Sequence, residues 1–194
     1  MGRNAERLMD ADEFLLWCLD QDEKYELVDG VPVLMVDGPT MMTGASRAHD
    51  RIVSNVIALL NIQLRGSPCW AGTADLAIRT RARMQRRADV VVTCDPVVRD
   101  KYDADDIKMI VDVLSPSNEG LAWQRKLEEY RGLDGLVYIL LLGNTSPEAM
   151  LLTQDGKGWR DHSAAGHEAS IELAEIGCRL PLAEIYEGIP FDAV

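Results

Sequence analysis

The run Leu136 to Leu142 (LVYILLL) is apolar at every position. A strand with one wet face would alternate, so this segment reads as a central strand buried on both faces. Such a strand needs cover above and below, which in a chain of 194 residues points to helices packed on both sides of one sheet. The periodic segments supply them. From Ser46 to Arg65, Ile52, Val56, Leu59, Leu60 and Leu64 share one helical face, and Gly66 follows where a helix end favours glycine. A second helix is expected from Asn118 to Arg131, closed by Gly132, after the break Ser115-Pro116-Ser117. A short one starts at Asp12 with Phe14, Leu15, Cys18 and Leu19 inward, and another closes the chain at Pro181 to Tyr186. Ala74–Thr80, Asp89–Cys94 and Ile107–Leu114 read as strands. Asp29-Gly30 and Asp155-Gly156 mark hairpins, one over Tyr25–Val36 and one over Ala149–Thr153 with Gly158–Asp161. Asp37–Ala45 reads as a loop rich in Gly, Thr and Met. No repeat or Pro/Gly/Ser linker divides the chain. The expectation is one α/β domain over residues 1–194, a central mixed sheet flanked by helices, with extra N-terminal and C-terminal hairpins.

Charge narrows the function. Twenty basic residues against 32 acidic ones leave −12, a field that repels phosphate, so a protein coating nucleic acid through a generally basic surface is excluded. Any dealing with DNA must use a local patch. The longest apolar run is far short of the ~20 residues that span a bilayer, and Met1–Asp12 lacks the apolar core of a signal peptide. Cys18, Cys69, Cys94 and Cys178 are scattered with no C-x-x-C pair, the pattern of reduced thiols in a cytoplasmic protein. Phosphate-binding glycine loops, a G-x-S-x-G elbow and H-E-x-x-H are all missing. Asp100–Asp106 lacks the central Gly and final Glu of a calcium loop and reads as a solvated acidic segment.

Three residues then draw together. Asp89 lies in one expected strand and Asp112 in the next, each among Val and Ile with no basic neighbour in sequence. A buried carboxylate is costly unless paired, hydrogen-bonded or bound to metal, and two on adjacent strands repel unless a cation lies between them. From Ser115 back to Asp112 a strand covers roughly 10 Å. From Asn118 forward to Lys126 a helix covers roughly 12 Å. If that helix folds back on its strand, the Lys126 ammonium comes level with Asp112. Carboxylates that hold Mg²⁺, with a lysine beside them, suit phosphodiester hydrolysis. The alternative is a solvated helix face, because Glu128, Glu129 and Arg131 follow Lys126.

Arg79, Arg81, Arg83, Arg86 and Arg87 form a dense basic stretch just before Asp89. On one strand the first three would share a face and offer a ribbon to a phosphate backbone. Equally, they could be a hairpin tip kept soluble by charge. His49 is a candidate acid, base or phosphate contact, against a capping or core role. Glu26 is a candidate further metal ligand, against a partner for Lys24 or an arginine.

In this order and spacing the same residues resemble the Uma-type putative restriction endonuclease family, a branch of the PD-(D/E)xK nuclease superfamily. The resemblance is carried by Tyr25-Glu26-Leu27-Val28-Asp29-Gly30, Ser46 with His49, Asp75-Leu76, Ala88-Asp89-Val90-Val91-Val92 and Val111–Ser117. Lys126 with Tyr130, and Leu180–Tyr186, complete it. It implies a restriction-endonuclease-like core and a Mg²⁺-dependent endonuclease, with Mn²⁺ as substitute, acting on nucleic acid and on DNA in the first place. By that pattern Asp89 is the central aspartate and Asp112 stands at the D/E position. Leu114 occupies the usual lysine position, and the following helix supplies Lys126 instead. Ala88 stands where the family usually has Pro, and Asp112 where Glu is more frequent. A catalytically silent binding or scaffold protein that kept the fold is the alternative function. A homodimer is open on either reading.

Overall fold

The structure is a computed structural model that describes residues 8–35, 46–114 and 120–191. The loop expected at Asp37–Ala45 and the Ser115-Pro116-Ser117 break lie outside the described residues. The centre is a six-stranded sheet in the order β11-β10-β9-β8-β6-β3. Its members are β3 (Trp70–Thr73), β6 (Val90–Thr93), β8 (Ile107–Leu114), β9 (Tyr138–Gly143), β10 (Glu148–Gln154) and β11 (Trp159–Ala165). β8 and β9 run parallel and the other pairs antiparallel, so the sheet is mixed.

The apolar run is double-sided, as its sequence demands. Tyr138, Leu140 and Leu142 of β9 face one way, with Met109, Val111 and Val113 of β8. There they pack on Ile52, Val56 and Leu60 of α2 (Arg47–Gln63). Ile139 and Leu141, with Ile110 and Val91, face α3 (Leu121–Arg131) through Tyr130, Leu127 and Trp123. Full burial of a Leu or Ile contributes about 1.5–3 kcal/mol, so these two layers hold both helices.

A second, five-stranded sheet runs β2-β1-β5-β4-β7. It comprises β1 (Tyr25–Val28), β2 (Val31–Leu34), β4 (Ala77–Arg81), β5 (Met84–Arg86) and β7 (Asp103–Ala104), with α1 (Ala11–Cys18) against β1. The β1–β2 hairpin is therefore part of this sheet rather than an appendage. Its turn residues Asp29 and Gly30 both have positive φ, 52° and 82°, which a two-residue turn of this hand requires and which Asp-Gly supplies. The later Asp-Gly hairpin, β10–β11, extends the main sheet instead of standing apart. β12 (Ser170–Leu173) and β13 (Cys178–Pro181) form a small separate ribbon before α4 (Leu182–Ile185).

The cysteine expectation is corrected. Cys69 and Cys94 form a disulfide, and only Cys18 and Cys178 are free. The cause is strand register: Trp70 pairs with Thr93 across β3 and β6, which brings the next residue on each strand together. Among the described residues no helix is long and apolar enough to cross a membrane.

Candidate active site

The site forms at one end of the main sheet, where β6 begins and β8 ends, between α2 and α3. Asp112 sits in β8 on the α3 side, 4% exposed. Asp89 directly precedes β6. Its Oδ2 accepts a hydrogen bond from the Val113 backbone N–H at 2.7 Å, which ties it to the neighbouring strand. His49 donates to the same oxygen through Nε2 at 3.1 Å. That ring is placed by the start of α2, where the N-cap Ser46 hydroxyl accepts from the His49 N–H at 3.2 Å.

Lys126 arrives from the other face. α3 does fold back along β8, and Lys126 Nζ lies 3.6 Å from Asp112 Oδ1 and 3.5 Å from Glu26 Oε1. It donates to the Arg87 carbonyl at 2.7 Å. The rings of Trp123 and Tyr130, one helical turn to either side, lie 5.8 and 5.7 Å from the ammonium. These contacts fix an otherwise mobile side chain. Burial alone would lower its pKa. The Asp112, Glu26 and Asp89 charges outweigh burial and hold the amine protonated, above the ordinary lysine value. For Asp112, burial pushes the carboxyl up to about 6, against the pull of Lys126 and with help from Asp89 and Glu26.

Glu26 has both oxygens engaged. Oε1 accepts from the Arg87 N–H at 3.0 Å, and Oε2 accepts from Arg86 Nη1 at 2.9 Å. Arg86 also grips Glu129 of α3, with Nε to Oε2 at 2.7 Å and Nη2 to Oε1 at 2.8 Å. This buried clamp joins β1, β5 and α3 under Lys126. Sequence reasoning missed the clamp and treated Glu129 as part of a solvated face. The available signal was the spacing of Lys126, Glu129 and Tyr130, which share one helical face.

Of the two readings of the arginines, the structure shows the hairpin tip: β4 ends at Arg81 and the chain turns at Ala82-Arg83 into β5, so Arg79, Arg81 and Arg83 do not share one strand. Arg86 is buried. Arg87 donates to the carbonyl oxygens of Tyr25, Ala74 and Asp75. Arg79 pairs with Asp12 and Asp103. Arg81 and Arg83 are exposed at the hairpin tip.

Asp89 and His49 open into a cleft of about 630 Å³ between α2, the residues just before β1 and the turn from β3 to β4. Asp22, Glu23, Asp50 and Asp75 rim it. Among the described residues no three His, Cys, Asp or Glu side chains gather into a metal cage. Asp112 Oδ2, however, is buried with no hydrogen-bond partner among them. An orphaned carboxylate oxygen beside a second carboxylate fits a hard cation that keeps several waters, as Mg²⁺ does.

The mixed sheet between helices on both faces is a restriction-endonuclease-like fold. A solved structure agrees: a protein of Anabaena variabilis described as a putative nuclease of DUF820 superposes with a TM-score of 0.67 at 14% identity. The match covers 92% of this chain and 97% of that one. The profile of the Uma2 family, described as putative restriction endonuclease, matches residues 11–183, and the chain belongs to that family. No curated protein matches.

Proposed function

We propose that this chain is a metal-dependent endonuclease that hydrolyses phosphodiester bonds in DNA. The observation that carries the reading is the ammonium of Lys126 held 3.6 Å from a buried carboxylate, Asp112, whose other oxygen has no donor among the described residues. Asp89 and Asp112 would hold Mg²⁺, or Mn²⁺ in its place, and the ion would supply an acidified water and positive charge for the phosphate. Lys126 is placed to hold the attacking water or the negative charge that grows on the phosphate oxygens. His49 keeps the Asp89 carboxylate turned toward the cleft. Glu26 serves Lys126 as counter-charge rather than as a ligand, because Arg86 and the Arg87 N–H already occupy its oxygens. Of the five arginines, Arg81 and Arg83 remain able to reach a phosphate backbone. The test is plasmid nicking in Mg²⁺ or Mn²⁺ by the wild type, Asp89→Asn and Lys126→Ala. The reading predicts a loss of at least about a hundredfold in both variants, the scale of a single lost charge-stabilising group. Equal nicking by all three would mean a contaminating nuclease and would refute it.

A further inference from the structure

The Cys69–Cys94 bridge is not sealed in the core. Both cysteines are half-buried, whereas Val90, Val91 and Val92 just before Cys94 are fully covered. The bridge lines a groove of about 420 Å³ together with Pro68 and Val137, and Lys108 and Glu175 are its charged lining residues. All of these residues lie in the described segments. The volume falls in the ordinary range for a small-molecule site. The groove sits at the end of the main sheet where β6 finishes and β8 starts. Asp89 precedes β6 and Cys94 follows it, so the two lie roughly 16 Å apart along an extended chain. The groove shares no lining residue with the cleft at Asp89.

The walls decide what fits. A disulfide is chemically reactive toward one class of partner under mild conditions, a thiolate. The chain does not supply it. Cys178 is buried, and burial pushes its thiol and that of Cys18 above the ordinary value, which keeps both protonated and poorly nucleophilic. The charged walls describe the rest of the partner. Lys108 pairs with Asp106 at 2.6 Å and keeps ammonium hydrogens for a carboxylate, while the exposed Glu175 can receive an ammonium. We propose that this groove is a thiol–disulfide exchange site, which takes a small amino-acid or peptide thiol and gives a mixed disulfide on Cys69 or Cys94. The incoming thiolate attacks one bridge sulfur, a new S–S bond forms as the Cys69–Cys94 bond breaks, and the displaced sulfur leaves as a thiolate that takes up the proton the incoming thiol released. One disulfide is consumed and one is formed, so no further oxidant enters. The Lys108 ammonium favours the departing thiolate. Opening the bridge leaves β3 anchored: the Asn61 amide holds the Ala71 N–H and carbonyl at 2.9 Å each, and Trp70 Nε1 donates to the Asp95 carbonyl at 2.9 Å. The site can therefore open and close on the folded protein.

The experiment incubates the native, oxidised protein with reduced glutathione, quenches with an alkylating agent and follows intact mass and peptide maps over time. One glutathione on the Cys69 or the Cys94 peptide is expected first. Two alkylated cysteines should follow, as a second glutathione carries the first away as glutathione disulfide. Mercaptoethanol, an uncharged thiol, at the same thiolate concentration measures what exposure alone allows. Glutathione should react about threefold faster, the scale of one solvent-exposed charge contact. Lys108→Glu should abolish that advantage and Glu175→Ala should reduce it. Glu175 is exposed, so its variant should keep the wild-type Tm and carries the test if Lys108→Glu unfolds. A bridge that exchanges only in urea, or equal rates for the two thiols in the wild type, overturns the site.

Discussion

Arg86→Met isolates the clamp beneath the candidate lysine. Arg86 is 5% exposed, and its guanidinium makes bonds of 2.7, 2.8 and 2.9 Å to Glu129 and Glu26. Burial favours its neutral form, yet the two carboxylates more than offset this and keep it charged. Methionine roughly fills the arginine stem, so the cavity term is small and the electrostatic loss dominates. Removing one partner of a buried pair leaves the others uncompensated and costs about 3–5 kcal/mol. Against a typical total of about 5–15 kcal/mol, that is a large share. Urea unfolding should show it as a fall of about 2 M in midpoint at unchanged slope, taking a slope of about 2 kcal/mol/M. The double variant Arg86→Met/Glu129→Met should regain part of the loss, because it removes the stranded Glu129 and leaves Glu26 with the Arg87 N–H and Lys126. A midpoint shift below about 0.5 M for the single variant, or a double variant no better than the single, would refute the clamp as a structural element.

The Asp112 carboxyl is raised from 3.8 to about 6, so between those values the folded state binds more protons than the unfolded one. In a chelator, this group's contribution to stability should therefore fall as pH rises from about 4 to 6, and Asp112→Asn should remove that slope in urea titrations at several pH values. Glu129 has the opposite sign: burial would raise its pKa, but Arg86 lowers it below the ordinary 4.5. Its contribution is complete above that value and is lost as the medium is acidified further, so Glu129→Gln should flatten the acid limb. The Cys69–Cys94 bridge closes a loop with a sequence separation of 25. Reduction, or replacing both cysteines with Ser, should cost about 3 kcal/mol by loop entropy, read as a lower Tm in reductant.

The main sheet was legible because its strands are strongly apolar. β8 has the expected bounds, Ile107–Leu114, and the double-sided burial of β9 follows from a run with no polar residue. The return of Lys126 to Asp112 was legible from rise per residue once the helix is taken to fold back on its strand, against the alternative of a solvated helix face. The second sheet was not. β5 is Met-Gln-Arg, three residues with no apolar alternation, and it is nonetheless fully buried because its arginine finds two carboxylates. Ion pairs and disulfides between distant residues leave no periodic trace, so Arg86 with Glu129 and Cys69 with Cys94 emerge only once strand register is known. His49 carried a weak signal, since Ser46 three residues earlier marks a helix start but says nothing about which carboxylate the ring will meet.

The buried charged side chains are concentrated around one point. Arg86, Asp112 and Glu129 are buried charges, Lys126 and Glu26 are nearly so, and all belong to one connected network. Stability alone does not explain this concentration, because apolar residues of similar volume would hold α3 on the sheet as well or better. A structural network would also satisfy every member, yet Asp112 keeps one oxygen without a partner among the described residues while Glu26 and Glu129 are fully engaged. The arrangement immobilises the lysine and leaves the acid incomplete. On the nuclease reading proposed above, that asymmetry suits a site that receives a cation and a phosphate, and it sets Asp112 and Lys126 apart from Arg86, which serves the fold.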